Sequence, residues 1–402
     1  MKEIYLDNAA TSYPKAPGVS EAISFYLSSI GCNVNRGAYK KAYQAEEIVF
    51  ETRELLCRLF HFDKPEHVIF TKNITESLNV IIKGLLKPGD HVIVSSMEHN
   101  AVMRPLNSLK NRNLEVTTLE CNTEGELSEE QLKLFPSLVK PHTKAVIMTA
   151  ASNVCGTMLP LKEVGKICRE HHIFFIVDSA QTAGFSEIDM NLHHIDALAF
   201  TGHKGLLGPQ GIGGFLINES LAAVMDSLIE GGTGSFSELE TQPAYLPDKF
   251  EAGTLNVPGI FGLNAALKYL FQIGIGTIRE QELHLLDLFM LRLLEIPQIR
   301  LVGKRDLRKR TSIVSIDLPN HDCSELSYRL YKEYGIMTRS GLHCAPSAHR
   351  TLGTFPQGTL RFSFNHFNTD KEALQTIDCV RQSLKLQVLS KSRQPPRSRP
   401  PQ

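Results

Sequence analysis

Phe200-Thr-Gly-His-Lys-Gly-Leu-Leu-Gly-Pro-Gln-Gly-Ile-Gly-Gly214 is the stretch of sequence around which the rest of the chain is interpreted. It follows an apolar run at 195–200 that predicts a strand, and it holds one lysine, Lys204. Glycines beside a lysine let the backbone approach a planar ligand closely. A lysine that forms a Schiff base must be partly neutral, which desolvation or nearby positive charge can achieve. A surface loop fits Gly-His-Lys-Gly equally well, because exposed lysines far outnumber reactive ones.

The overall composition excludes some classes of protein. The chain has 402 residues, with 43 Lys+Arg and 43 Asp+Glu, so its formal net charge is zero. This balance implies no general attraction to nucleic acid or to an anionic membrane. No stretch is apolar for long enough to span a bilayer. We therefore expect a soluble, cytoplasmic protein that is long enough for two domains.

The eight cysteines are scattered along the chain without a Cys-x-x-Cys pair or a regular spacing. Zinc sites and disulfide frameworks both require recognisable cysteine spacings. We therefore predict no metal site and expect most of the cysteines to be reduced, buried and apolar in character.

Strand and helix patterns alternate through the first two thirds of the chain. Apolar strand-like runs lie at 68–71, 92–95, 144–149 and 173–177, and amphipathic helical patterns lie at 44–60, 75–86 and 161–171. This alternation predicts βαβ units in a mostly parallel sheet with helices on both faces. The glycine-rich segment 205–214 matches neither a P-loop nor a dinucleotide fingerprint, which argues against nucleotide enzymes.

Polar residues follow the predicted strands at the edge where ligands gather in open α/β sheets. His99, Asn153, Asp178 and Gln181 each come soon after a strand, and Thr75 opens the helix that follows the first one. A helix start can bind an anion, although capping explains Thr75 equally well. A buried aspartate can cap the next helix or pair with a cationic ligand.

The pattern changes from residue 257 onward. Helical stretches at 260–271 and 277–295 lead to strands at 312–317, 336–338 and 359–364 and to a last helix at 371–387. The shorter elements predict a smaller α+β domain. We expect a large domain at 1–258, whose first roughly 15 residues could pack on the small domain, then the small domain at 259–388. The proline-rich segment 389–402 is predicted to be a disordered tail.

The motifs in combination resemble the class V aminotransferase family, and within it the cysteine desulfurase and selenocysteine lyase group. The resemblance covers roughly residues 3–388 and rests on Leu6-Asp-Asn-Ala-Ala10, Met97-Glu-His99, Ser152-Asn-Val-Cys-Gly156, Val177-Asp-Ser-Ala-Gln181 and Glu251-Ala-Gly-Thr-Leu-Asn256. It implies an α/β protein of the pyridoxal phosphate-dependent fold type I, which is aspartate aminotransferase-like.

The resemblance also implies a cofactor site for pyridoxal 5'-phosphate. Lys204 would form the Schiff base, and Asp178 would hold a proton on the pyridine nitrogen so that the ring becomes a better electron sink. Thr254 would reach the phosphate in the partner subunit of a homodimer. The residues that match the family's cofactor site are Thr75, His99, Asn153, Asp178, Gln181, Thr201, His203, Lys204 and Thr254.

The resemblance to group II desulfurases is most specific at Arg339-Ser-Gly-Leu-His-Cys-Ala345, in which Cys344 would receive the substrate's sulfur. A thiolate is the reactive form, and a nearby arginine or histidine would favour it. Arg361, with Arg339 and Asn153, would bind the substrate carboxylate. Lys204, Cys344 and His99 would be catalytic. The implied reaction converts L-cysteine to L-alanine and leaves a persulfide on Cys344, from which a sulfur-acceptor protein could draw.

Alternatives remain at this point. L-Selenocysteine could replace L-cysteine as substrate, because selenium leaves more readily. A β-lyase or aminotransferase of the same fold would make Cys344 incidental, and a non-catalytic sulfur-relay protein is a further possibility. Ile74, Asn35 and Leu342 stand where the group often has a threonine and two histidines, so the substrate or the acceptor could differ.

Overall fold

The computed structural model describes residues 3–34, 37–235, 238–319 and 321–391, and the side chains up to residue 385. Asn35, which departs from the group's pattern, lies outside the described residues. Most of the predicted tail at 389–402 lies outside them as well.

Strands and helices alternate along the chain much as the sequence predicts. The strands are β1 (Ile4–Tyr5), β2 (Val68–Thr71), β3 (His91–Ser95), β4 (Glu115–Leu119), β5 (Thr143–Thr149), β6 (Phe174–Asp178), β7 (Ala197–Thr201), β8 (Gly213–Ile217), β9 (Arg300–Val302), β10 (Ile313–Asp317), β11 (Ile336–Met337), β12 (Arg339–Gly341) and β13 (Thr359–Ser363).

The α-helices are α1 (Val19–Phe25), α2 (Lys40–Phe60), α3 (Ile74–Leu85), α4 (Asn100–Lys110), α5 (Glu129–Leu138), α6 (Leu161–Glu170), α7 (Glu219–Val224), α8 (Val257–Ile273), α9 (Ile275–Leu293), α10 (Cys323–Tyr334), α11 (Pro346–Thr351) and α12 (Asp370–Lys391). A π-helical turn at Tyr26–Ile30 continues α1.

The large sheet has the strand order β2-β8-β7-β6-β5-β3-β4. The five strands from β7 to β4 run parallel, while β8 runs antiparallel to both of its neighbours, β7 and β2. One core cluster joins this sheet to α2 and α8, and a second joins it to α3 and α4. Parallel strands covered on both faces read as continuous apolar runs, which is why β3, β5 and β6 are visible in the sequence. The predicted α/β class with a mostly parallel sheet is confirmed.

The C-terminal part contains a four-stranded antiparallel sheet of order β12-β13-β10-β9. A third core cluster holds residues of α9, α10 and α12 and also contains Ile4 and Leu6 from the N-terminus. Strand β1 pairs with β11 in parallel. The N-terminal segment is therefore fixed against the C-terminal part, next to the strand that carries Arg361. The domain boundary at 258/259 stays a prediction.

A buried ion pair ties α2 to the segment that precedes α8. The guanidinium of Arg53 donates to both carboxylate oxygens of Glu251 at 3.0 and 2.8 Å, and the Phe70 N–H donates to the same carboxylate at 2.6 Å. The two charged side chains are only 7% and 5% exposed. Two buried charges are tolerated because each is paired and hydrogen-bonded.

Replacing Glu251 with alanine should destabilise the protein by about 3 to 5 kcal/mol, because it leaves the buried Arg53 charge without its counterion and, among the described residues, with only the Val68 carbonyl as an acceptor. Chemical denaturation measures this change. Glu219→Ala is the matched control, since its ion pair with Lys64 is largely exposed and should contribute nothing measurable. Equal stabilities for the two variants would contradict the role of the buried pair.

Across the described ranges, none of the helices combines the length and the apolar character that crossing a bilayer requires.

Candidate active site

The predicted site residues gather at one edge of the large sheet. Strands β7, β6, β5 and β3 are neighbours, and parallel strands end at the same edge. Lys204, Asp178, Asn153 and His99 lie at or shortly after these four strand ends. The topology therefore brings together residues that are far apart in sequence.

Lys204 lies in the loop after β7 and lines a cavity together with Gln181. Desolvation, helped by the charges of Arg361 and Arg339, lowers the pKa of its amine to about 8, although Asp178 opposes the shift. An amine with this pKa is substantially neutral near pH 8, and the neutral form is the nucleophile. Lys204 can therefore attack an aldehyde.

The glycines around Lys204 let two loops pack together. A Cβ atom on Gly205 would lie 2.5 Å from the Ala183 carbonyl oxygen, and one on Gly184, whose φ is +82°, would lie 2.2 Å from the Gly205 carbonyl oxygen. From the sequence, we expect these glycines to make room for a planar ligand. At Gly205, the absent side chain instead makes room for the backbone of Ala183. The carbonyl of His203 accepts a further hydrogen bond from the Ser12 N–H at 2.8 Å. The position of the Lys204 backbone is thus closely constrained.

Asp178 ends β6 and is 3% exposed. Its Oδ1 atom accepts the Ala180 N–H at 2.9 Å and so stabilises the turn after β6, where the described residues 179–196 form no helix for Asp178 to cap. Desolvation nevertheless raises the pKa of the carboxyl, and the Ala180 N–H and Lys204 only partly offset it. A buried carboxylate with so little compensation is suited to a cationic partner such as a protonated ring nitrogen.

His99 caps α4, because its Nδ1 atom accepts the Ala101 N–H at 3.0 Å. Desolvation, with a smaller contribution from Lys204, lowers the pKa of the imidazole to about 4. The ring is therefore neutral at physiological pH, with its proton on Nε2. A flat, neutral ring can stack on an aromatic ligand.

Glu98, the neighbour of His99, is a residue whose role the sequence analysis missed. It is fully buried, and its Oε1 atom accepts hydrogen bonds from the Ser95 hydroxyl and from the Thr149 N–H, the latter at 3.0 Å. Desolvation raises the pKa of this carboxyl to about 8. Glu98 thus joins the ends of β3 and β5. Its position directly beside His99, a predicted site residue, could have drawn attention to it.

Two polar atoms near the end of β7 suit a polar ligand group. Thr201 Oγ1 and His203 Nδ1 are buried without a hydrogen-bond partner among the described residues. Gly213, which pairs with Thr201, brings Asn73 close, since a Cβ there would lie 2.9 Å from Asn73 Cα. Thr75, at the start of α3, is exposed at this end of the sheet. Buried polar groups need partners, so an anion such as a phosphate fits here.

Ile74 is 8% exposed and belongs to the core under α3. Its apolar side chain therefore packs in the interior and offers no hydroxyl of the kind that a threonine would supply at this position. At the N-terminus of α3, Asn73 Oδ1 accepts the Glu76 N–H at 3.0 Å, so an anion would bind to the N–H groups that precede Glu76.

Asn153 and Gln181 connect the large sheet to other segments. Asn153 donates from Nδ2 to the His343 carbonyl at 2.7 Å, and its own carbonyl accepts from Arg361 Nη1 at 2.9 Å. Gln181 donates from Nε2 to the Ala9 carbonyl at 3.1 Å. Asn153 therefore links Arg361, the predicted substrate-binding residue, to His343, which precedes Cys344.

Arg361 lies on β13 and is 2% exposed. Its Nη2 atom pairs with Asp7 Oδ1 at 2.8 Å, and its Nε atom is buried without a partner in the described part of the chain. Arg339 stands opposite Arg361 on β12 and is exposed. The sequence did not indicate the contact with Asp7.

Cys344 is exposed, unlike most of the other cysteines, which are buried as predicted. Cys344 and His343 both have positive φ, 58° and 47°, which L-residues adopt rarely. The loop is held in this form because the Cys344 carbonyl accepts the Asn100 N–H at 2.8 Å and the His343 ring bonds Thr359 Oγ1 at 3.0 Å. The thiol is thus presented at the surface of a fixed turn.

His343 does not supply a positive charge to this thiol. Desolvation, assisted by Arg361 and His349, lowers the pKa of the His343 imidazole far below its usual value. The ring is 5% exposed and faces β13 through Thr359. The expectation that an adjacent histidine favours the thiolate is therefore not met, while Arg339 stays available.

Thr254 does not join the other residues within this chain. It is exposed and lines a separate cavity with Asn33 and Glu251. Its place differs from that of every other predicted cofactor residue, which is compatible with a role in a neighbouring subunit's site.

Comparisons with known proteins agree with this geometry. The sequence profile of the aminotransferase class-V family matches residues 4–375. A probable cysteine desulfurase of Pyrococcus abyssi is 34% identical over 386 residues, which cover 92% of this chain and 91% of that protein. The apo structure of a cysteine desulfurase from Thermococcus onnurineus superimposes with a TM-score of 0.87 at 32% identity and covers 95% of both chains. The Escherichia coli cysteine desulfurase CsdA, solved as an S-sulfonic acid, has a TM-score of 0.84 at 30% identity and covers 96% of this chain and 95% of that one.

Proposed function

The chain belongs to the aminotransferase class-V family, and from this membership we propose that it is a pyridoxal phosphate-dependent cysteine desulfurase. It would convert L-cysteine to L-alanine and place the sulfur on Cys344. The observation that carries the proposal is the exposed Cys344 thiol on a fixed turn, whose neighbour His343 is bonded through Asn153 to the substrate arginine.

The residues at the sheet edge fit pyridoxal phosphate. The unpartnered Thr201 Oγ1 and His203 Nδ1 suit its phosphate, the buried Asp178 suits its ring nitrogen, and His99 suits its ring face. When bound at Lys204, the cofactor supplies an electron sink for bonds broken at the substrate's Cα and Cβ.

The chain's own groups would carry out the remaining chemistry. Arg361 binds the carboxylate of L-cysteine, and the released Lys204 amine moves the Cα proton. The Cys344 thiolate attacks the substrate sulfur, so that a sulfur–sulfur bond forms. The Cβ–S bond breaks with its electron pair left on the carbon side, and protonation of that carbon gives alanine. The persulfide on Cys344 then holds the transferred sulfur.

Arg361→Ala should raise the KM for L-cysteine strongly, because the carboxylate would exchange a buried charged contact for water. Removing one partner of such a contact commonly costs about 2 to 5 kcal/mol. Steady-state kinetics measure the effect, and Arg361→Lys, which keeps the charge but not the two-pronged geometry, should be intermediate. An unchanged KM in the alanine variant would remove Arg361 from the substrate site.

A homodimer and a sulfur-acceptor protein belong to the same proposal. Large apolar side chains are exposed around α1 and α2, among them Phe25, Leu27, Tyr43 and Phe50, each at least 52% exposed. A surface of this kind is suited to contact with a second copy. A partner subunit would then bring the separately placed Thr254 to the cofactor phosphate. The acceptor protein and the cytoplasmic location stay predictions.

Product analysis tests the proposed function. Purified holoenzyme is supplied with L-cysteine and a reductant that releases bound sulfur. Alanine and sulfide in equal amounts are the expected products, whereas pyruvate and ammonia would identify a β-lyase. Parallel reactions with L-selenocysteine compare the two substrates, and turnover of L-selenocysteine alone would replace the proposal with a selenocysteine lyase.

A further inference from the structure

Asp7 forms an ion pair with Arg361, whose guanidinium is proposed to bind the substrate carboxylate. Nε and Nη2 lie on one edge of a guanidinium, the edge that a carboxylate grips with two parallel hydrogen bonds. In Arg361, Nη2 donates to Asp7 Oδ1 at 2.8 Å, and Nε is buried without a partner in the described part of the chain. On this edge of the guanidinium, the Asp7 carboxylate therefore already binds one of the two donors, Nη2.

The backbone around Asp7 fixes its position. Asp7 forms a β-bridge with Ser363 on β13, the strand that carries Arg361. The preceding Leu6 N–H donates to the Met337 carbonyl at 2.9 Å, and the Tyr5 hydroxyl donates to the Thr11 carbonyl at 2.8 Å. The contact between Asp7 and Arg361 is thus part of the sheet architecture and does not depend on a mobile surface side chain.

The charges around Arg361 show what Asp7 changes. Arg339 is paired with Arg361 on the neighbouring strand β12. Burial lowers the pKa of the Lys204 amine, and both arginines are close enough to lower it further. The Asp7 carboxylate makes the ion pair with Arg361 and opposes the lowering of the guanidinium's pKa by burial. An incoming carboxylate meets a cation that already has a counterion, and two carboxylates on one guanidinium repel each other.

We propose that Asp7 tunes the binding of amino acids at this site: it neutralises Arg361 in the free protein and competes with the amino acid's carboxylate for the same guanidinium. Affinity for the substrate is thereby limited, and so is affinity for L-alanine, which must leave after each turnover. This role rests on the proposed function, in which Arg361 binds the substrate carboxylate.

A purely structural role for Asp7 makes a different prediction. If Asp7 only held Arg361 in place, its neutral variants would bind amino acids no better than the unchanged protein. If Asp7 competes, an isosteric neutral residue should bind them better. Asn keeps an oxygen that accepts from Nη2, so Asp7→Asn removes the charge and keeps the orientation.

The test is calorimetric titration of the holoenzyme with L-alanine, which contains no sulfur, at low ionic strength. We expect Asp7→Asn, and Asp7→Ser as a second neutral variant, to bind L-alanine roughly three- to tenfold more tightly, as removal of a partly exposed like charge allows. Asp7→Glu keeps the charge and should show no gain. The gain should shrink at high salt, because the repulsion is screened.

Unchanged or weaker binding in the neutral variants, at cofactor content equal to that of the unchanged protein, would overturn the role of Asp7. If the unchanged protein binds no L-alanine, both Arg361 as the carboxylate site and Asp7 as its competitor are wrong. If it binds L-alanine but forms none from L-cysteine, the proposed desulfurase activity fails and the titration still decides the role of Asp7.

Discussion

Lys204→Ala should abolish turnover of L-cysteine and prevent covalent attachment of pyridoxal phosphate. Lys204 is the lysine at the sheet edge beside Asp178, and burial lowers the pKa of its amine to about 8. The variant loses both the nucleophile for the cofactor aldehyde and the base for the Cα proton. A positioned base alone contributes about 10²- to 10⁴-fold, so the loss in kcat should be at least on that order.

Borohydride reduction followed by peptide mass measurement checks the assignment of Lys204. In the unchanged protein the cofactor should be fixed to the peptide that contains Lys204, and in Lys204→Ala it should wash away. Lys204→Arg is the matched control, since it keeps a cation but offers no neutral amine. Cofactor that remains covalently fixed to Lys204→Ala would show that another lysine forms the bond, for example Lys15, whose Nζ atom donates to the His203 carbonyl at 3.2 Å.

Cys344→Ala should lose nearly all conversion of L-cysteine while keeping its affinity for amino acids. The substitution removes an exposed thiol and leaves Lys204, Asp178 and Arg361 in place. With no thiolate to accept the sulfur, the proposed route for breaking the Cβ–S bond is lost. L-Selenocysteine should retain substantial turnover in this variant, because selenium leaves more readily and depends less on a thiol.

Alanine formation from each substrate, measured together with L-alanine affinity, checks this prediction. Cys32→Ala is the matched control, because Cys32 is half-buried and lies outside the candidate site. It should behave like the unchanged protein. Undiminished alanine formation from L-cysteine in Cys344→Ala would show that Cys344 is incidental, and pyruvate in place of alanine would favour a β-lyase.

Much of the fold could be predicted because parallel, doubly covered strands are apolar throughout. β2 has the predicted bounds at 68–71, and β3, β5 and β6 lie within one residue of theirs. β4 was not predicted, since its residues are half-exposed at the sheet edge and carry two threonines and a glutamate. Nor was β8, because its strand begins inside the glycine-rich stretch at Gly213.

The site could be predicted only in part. Residues that follow strands, such as His99 and Asp178, are brought together by topology, and topology can be inferred from local patterns. The ion pair between Asp7, which follows β1, and Arg361 on β13 joins residues 354 positions apart, and no local pattern encodes it. The conformation of the Cys344 turn, which depends on Asn100 and Thr359, is likewise a property of the folded chain.

A single-turnover trapping experiment tests the central claim, the transfer of sulfur to Cys344, most directly. Holoenzyme is mixed with L-cysteine without reductant, a thiol-alkylating reagent is added, and the peptides are identified by mass. The peptide that contains His343-Cys344-Ala345 should carry one additional sulfur, with one alanine released for each sulfur trapped. Additional sulfur found only on another cysteine, such as Cys155 or Cys323, or alanine released with Cys344 unmodified, would contradict the account.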